Sequence, residues 1–120
     1  MDNLDKVVFY QMSLELWDEF WKDAEIIMTD TRGRELVKQM TRSVGSISAN
    51  IEEGYGRGNK REYPHFLKIA RGSARESRGW YIKIKFLLPE EVIEKRCEKL
   101  NSISAMITKS IETLENKLKK

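Results

Sequence analysis

Residues 50–62 read "NIEEGYGRGNKRE", with glycines at Gly54, Gly56 and Gly58 and cations at Arg57, Lys60 and Arg61. The stretch reads either as a phosphate cradle or as the bend between two helices. A dinucleotide loop needs G-x-G-x-x-G after a strand, and a mononucleotide loop needs G-x-x-x-x-G-K-[ST]. Neither spacing is met, and what precedes the glycines has helical periodicity. The bend reading has a mechanism: Gly54 is placed to end a helix in the left-handed region, and Asn59 with Glu62 three residues later resembles a capping box for the next helix. Pro64 implies that this next helix begins late, because an interior proline removes one backbone hydrogen bond.

Working outward, the apolar residues fall into four stripes spaced by three and four, the period of an α-helix. The first runs Tyr10, Leu14, Trp17, Trp21, Ala24, Met28, widened by Leu16, Phe20 and Ile27. The second runs Leu36, Met40, Val44, Ile47, Ile51 and opens at Asp30 and Thr31, whose side-chain oxygens suit an N-cap. The third spans Tyr63 to Leu88 and stops at Pro89. The fourth spans Ile93 to Leu118, with Pro89, Glu90 and Glu91 in its first turn, where a fixed φ and negative charge both suit a helix start. Period-two alternation is absent. Short connections make consecutive helices antiparallel, so the expected fold is an all-α, antiparallel up-down-up-down four-helix bundle, a single domain over residues 1–120.

A domain of 120 residues buries roughly two-thirds of the surface its unfolded chain exposes, so it needs no staple. Cys97 is the only cysteine, which excludes an internal disulfide and fits a reducing, cytoplasmic setting. The opening "MDNLDKVVFY" lacks the features of a secretory signal, and no run reaches the length of a membrane span, so no membrane partner is expected.

The net charge of +3 hides segregation: residues 1–30 carry −6 and residues 57–88 carry +7. On the third helix Lys68, Arg71, Arg75, Arg78 and Lys85 share one stripe, about 25 Å long at 1.5 Å per residue, with Arg57, Lys60 and Arg61 extending it at the N-terminal end. Such a stripe meets several phosphates of a duplex or a folded RNA, and it reads equally as a solvated or subunit-facing row. Glu15, Asp18 and Glu25 form an acidic counterpart on the first helix, a docking face for a basic neighbour or an ordinary wet face.

Other constellations carry less. Glu62-x-x-His65 is half of a carboxylate di-metal motif, but His65 is the only histidine, so no metal site or cofactor is expected. Cys97 lies on an apolar stripe and reads as core filler. Asn50 and Glu53 are placed to bond backbone groups of the following loop, which with Gly54 makes them structural rather than catalytic. Gly45, Ser48 and Ala49, with Gly72 and Gly79, leave low surfaces for close helix approach. No nucleophile and base pair, metal set or carboxylate dyad is in place, so an enzyme is not expected.

"TRSVGSISANIEEGYGR" followed by "EYPHFLKIARGSARES" resembles the signature of the bacterial four-helix-bundle proteins encoded by intervening sequences of large-subunit ribosomal RNA genes. That pattern runs Q-x-x-R-x-x-x-S-I-x-x-N-I-A-E-G-x-G-R, then E-x-x-x-F-L-x-x-A-x-G-S-x-x-E. It falls on Gln39, Arg42, Ser46, Ile47, Asn50, Ile51, Glu53, Gly54, Gly56 and Arg57, then on Glu62, Phe66, Leu67, Ala70, Gly72, Ser73 and Glu76. Glu52 and Ser13 stand where the family usually has alanine. The resemblance implies a homopentamer. It also implies kinship with the accessory proteins of diversity-generating retroelements, which bind a reverse transcriptase and nucleic acid. It brings no catalytic residues. The expectation is therefore a non-enzymatic, cytoplasmic oligomer that binds RNA or DNA, or a nucleic-acid enzyme such as a reverse transcriptase, through its basic face. The alternative is a protein-interaction scaffold whose charged stripes serve only self-assembly and docking.

Overall fold

The computed structural model describes residues 3–119. A 3-10 turn, Asn3–Lys6, leads into α1 (Val8–Ile27), α2 (Thr31–Gly56), α3 (Glu62–Lys83) and α4 (Glu90–Leu118). They form an antiparallel four-helix bundle about 52 Å long and 23 by 22 Å across. Contact is most extensive between α2 and α3 and between α3 and α4, while α1 closes the bundle more lightly against α2 and α4. No helix of the described residues is long and apolar enough to cross a membrane.

The core runs along the bundle axis. Leu16, Phe20 and Ile27 of α1 meet Met40, Val44, Ile47 and Ile51 of α2, Leu67, Ala70, Ala74 and Tyr81 of α3, and Leu100, Ile103, Ile107 and Ile111 of α4. Helix α1 buries Phe9, Tyr10, Ser13, Leu16, Phe20, Asp23, Ala24 and Ile27, so the widening residues Leu16, Phe20 and Ile27 lead the core and only part of the expected stripe goes in. Leu14, Trp21 and Met28 are left outside, Trp21 being 62% exposed. In α4, Ile103 takes the core position and Ser104 faces the groove beside α3.

Two serine pairs lock α2 to α3. The Ser77 hydroxyl donates to Ser43 Oγ at 3.0 Å, and Ser73 donates to Ser46 Oγ at 2.9 Å. Asn50 donates to both the Ser46 carbonyl and its hydroxyl, each at 2.8 Å. Asn50 thus bonds the turn before it and not the loop after it, because its amide lies along the helix axis toward Ser46. Glu52 accepts from the Tyr10 hydroxyl at 2.7 Å, tying α2 to α1 where an alanine would leave that hydroxyl to other partners.

Gly54 does not end α2. The helix runs on to Gly56, and the left-handed residue is Gly58, with φ of 63°. Gly54 is needed for proximity instead: a Cβ there would lie 2.7 Å from Phe66 Cβ on α3. Asn59 Oδ1 accepts from the Arg61 amide at 2.8 Å, whereas Glu62 turns to Arg57, so the capping box is only half made. Because α3 starts at Glu62, Pro64 falls within the first turn, where no amide is required. Asp30 caps α2 by accepting from the Arg32 amide at 2.8 Å, and Pro89 is the N-cap of α4. Helix α3 stops at Lys83, five residues short of Leu88. Of the small residues expected to admit a neighbouring helix, Gly45 receives the Trp17 ring, while Gly72 and Gly79 face open space.

Candidate nucleic-acid interface

The basic row of α3 lies along its seam with α4, and what α4 presents there decides its chemistry. Asn101, Ser104 and Thr108, spaced by three and four, put one neutral polar stripe of α4 on that seam. Arg71 donates Nη1 to Thr108 Oγ1 at 3.1 Å. Arg75 and Arg78 line a cleft of about 280 Å³ with Asn101 and Ser104. Both are exposed, and no carboxylate of the described residues pairs with either. At the far end the row is neutralised: Lys68 Nζ lies 2.7 Å from Glu115, whose carboxyl is lowered by that bond.

The remaining predicted cations separate in space. Arg57 is engaged in the bend, 2.7 Å from Glu53 and 3.7 Å from Glu62, with its guanidinium over the Phe66 ring. Glu53 therefore serves the loop through a side chain and not through backbone. Lys60 and Arg61 are exposed. Lys85 leaves the stripe, since the helix has ended two residues earlier; its Nζ lies 5.3 Å from the Phe86 ring centre.

The acids of α1 have a partner inside the chain that periodicity did not reveal. Asp23, 3% exposed, accepts from Arg96 of α4 through both oxygens, at 2.8 and 3.1 Å, and from the Tyr81 hydroxyl at 2.6 Å. Arg96 also reaches Glu19 at 3.3 Å, and Lys99 bridges Glu19 at 2.8 Å and Glu15 at 3.2 Å. Burial, then the bond to Asp23, pushes the Tyr81 hydroxyl far above its ordinary range. The Asp23 bond raises Arg96 against the opposing effect of burial. Burial alone would lower Lys99, but Glu19 and Glu15 outweigh it and hold it up. The available signal was Asp23 itself, three residues after Phe20 and four before Ile27, a carboxylate on the buried line.

This arrangement commits Arg96 and Lys99 of α4 to α1, while Arg75 and Arg78 of α3 meet no carboxylate of the described residues. Glu15, expected to face a neighbour, is taken by Lys99, while Asp18 and Glu25 stay exposed. His65 is exposed with its ring edge-on to Phe66, and the described residues contain no group of three potential metal ligands. Cys97 is half-buried, and burial raises its thiol.

A four-helix bundle with a carboxylate-free arginine cleft is the class of protein that fold and surface define. The sequence model of the 23S rRNA-intervening sequence protein family matches residues 5–109, and the chain belongs to that family. Among solved structures, it is similar to a protein of unknown function from the S23 ribosomal protein family of Bacteroides thetaiotaomicron. That likeness has a TM-score of 0.79 at 23% identity and covers 88% of this chain and 96% of the other, a likeness of fold. No curated protein matches the chain.

Proposed function

We propose that this protein is a non-enzymatic, cytoplasmic adhesive bundle that holds structured RNA or DNA through the α3–α4 seam. The observation that carries the reading is the position of Arg75 and Arg78, exposed beside Asn101 and Ser104 with no carboxylate of the described residues to neutralise them. An arginine left without a carboxylate on a groove that offers amide and hydroxyl groups suits a phosphate: the guanidinium fork binds two oxygens, and the neutral N–H and O–H groups donate to the phosphate oxygens. Of the α1 acids, Glu15, Glu19 and Asp23 are already held by Arg96 and Lys99, which leaves only Asp18 and Glu25 to meet a basic row of another copy.

The test is affinity for a folded RNA hairpin as a function of salt, because each neutralised phosphate releases condensed counterion. The double variant Arg75→Gln, Arg78→Gln is expected to weaken binding at every sequence and to reduce the salt slope by about 2. An unchanged slope with intact helical content would overturn the reading.

A second reading rests on α1. Trp17, Trp21 and Met28 border a groove of about 360 Å³ against α2, with Trp21 largely in solvent. Exposed aromatic surface of this kind serves protein contact, either between copies in the expected ring of five or with a nucleic-acid enzyme such as a reverse transcriptase. The two readings use different faces and are compatible.

A further inference from the structure

The end of the bundle where α3 gives way to α4 carries an anomaly of its own. Phe86 is 83% exposed, the most exposed large apolar side chain of the described residues. A ring placed in water without cover is costly in apolar hydration, and its surroundings show what would cover it. Phe86 lines two grooves. One, of about 140 Å³, has Leu36, Ile84 and Leu87 as apolar walls and Arg32 and Lys83 as its polar members, with no carboxylate lining it. The other, of about 410 Å³, holds Lys85 together with Glu90 and Glu94. Lys85 belongs to this second, partly anionic groove and sets its Nζ 5.3 Å from the ring centre, so it occupies that side. Lys83 forms no ion pair among the described residues and rests over the Trp80 ring at 4.6 Å. Arg32 pairs with Asp30, yet its side chain is 83% exposed, which leaves outward guanidinium N–H groups for a further anion.

We infer that this corner is a seat for one unpaired nucleobase, stacked on the face of Phe86 that borders Arg32 and Lys83, with its flanking phosphate held by those two cations. The inference rests on the proposed nucleic-acid reading and deepens it: the arginines of the seam carry a folded region by its backbone, and Phe86 takes the unpaired nucleotide beside it. The chemistry favours a base over an apolar protein surface. A base has a flat π-face that matches a solitary ring and brings its own phosphate to the lysine and arginine. A protein contact centred on Phe86 would have to strip water from Arg32, Lys83 and Lys85 at once, and lysines are depleted from interface centres for that reason. From Arg75 to Lys83 along α3 is about 12 Å at 1.5 Å per residue, with the arginine cleft toward α4 and the Phe86 groove toward α2, so a strand that meets both turns around the C-terminal end of α3.

The experiment uses the full chain and two probes: a blunt RNA hairpin, and the same hairpin with a single-stranded pyrimidine tail. Phe86→Ala is exposed and keeps the fold, which circular dichroism verifies. It is expected to weaken tailed-hairpin binding by about 5- to 100-fold, the range for losing one stacked base, while leaving blunt-hairpin affinity and both salt slopes unchanged. Phe86→Trp is expected to retain the tail preference. Lys83→Gln is expected to lower the salt slope for the tailed probe only, by about 0.7. Equal loss on both probes, or no loss with Phe86→Ala, overturns the base seat while the arginine seam stands. A drop in oligomer mass with Phe86→Ala and unchanged tail affinity overturns it in favour of a contact between copies. Wild type that binds neither probe removes the nucleic-acid reading and this inference together.

Discussion

The Tyr81 hydroxyl donates to Asp23 Oδ2 at 2.6 Å, joining α3 to α1 across 58 residues of sequence near the end of the bundle where both helices finish. Arg96 from α4 closes on the same carboxylate, so one buried acid ties three of the four helices.

Removing one member of that cluster should be expensive because the others stay buried. Asp23→Ala takes the acceptor from Tyr81 and leaves Arg96 with Glu19 alone, and a loss of about 3–5 kcal/mol is expected. Tyr81→Phe removes one bond to a charged group and should cost about 1.5–3 kcal/mol. Urea unfolding of both variants checks the order. Asp23→Ala at or below the cost of Tyr81→Phe would mean that Arg96 reaches water when its partner is lost.

The same cluster sets the alkaline limit of stability. Tyr81 and Lys99 both have folded-state values raised above their ordinary ones. The folded protein therefore keeps protons that the unfolded chain gives up, and this stabilisation is complete below about pH 10 and lost as pH rises beyond it. The melting temperature should fall from about pH 10 upward, and Tyr81→Phe should flatten that fall. A scan between neutral and strongly alkaline pH reads both.

Two glycines of the bend should respond to substitution in opposite ways. Gly58 is left-handed, so alanine there should cost about 1–2 kcal/mol, while asparagine, which tolerates that region, should cost much less. Gly54 is in ordinary helix but lies against Phe66, so alanine should cost about 1–3 kcal/mol through overpacking and asparagine more still. Thermal melts of the four variants distinguish backbone strain from crowding.

Neutralised cations should matter less to binding than free ones. Arg57→Gln should change the salt slope for an RNA hairpin less than Arg75→Gln, because Glu53 and Glu62 already engage Arg57. Glu115→Gln should release Lys68 and steepen the slope by up to about 0.9 if the lysine then meets a phosphate.

Trp21→Ser tests self-association. If the α1–α2 groove is buried between copies, light scattering on the variant should give a lower mass than wild type at the same concentration, with helical content unchanged. Equal masses would separate the aromatic groove from assembly.

Helix number, helix type and antiparallel order were legible in the residues, because a three-four apolar period and short connections act locally and leave little choice. The cap at Asp30 and the start at Pro89 were legible for the same reason. The face that α1 turns inward was legible only in part: Leu16, Phe20 and Ile27 go in as the period allows, but Leu14, Trp21 and Met28 stay outside while Ser13 and Asp23 are buried. The line containing Asp23 goes inward in the presence of Arg96 and Tyr81, which stand 73 and 58 residues away. Likewise the basic row of α3 was visible, but the pairing of Lys68 with Glu115 and the exposure of Arg75 and Arg78 depend on which stripe of α4 lies opposite. Periodicity tells which residues share a face of one helix. Which partner a charge finds is decided only by the rotation and register of the neighbouring helix, and those follow from packing of the whole core.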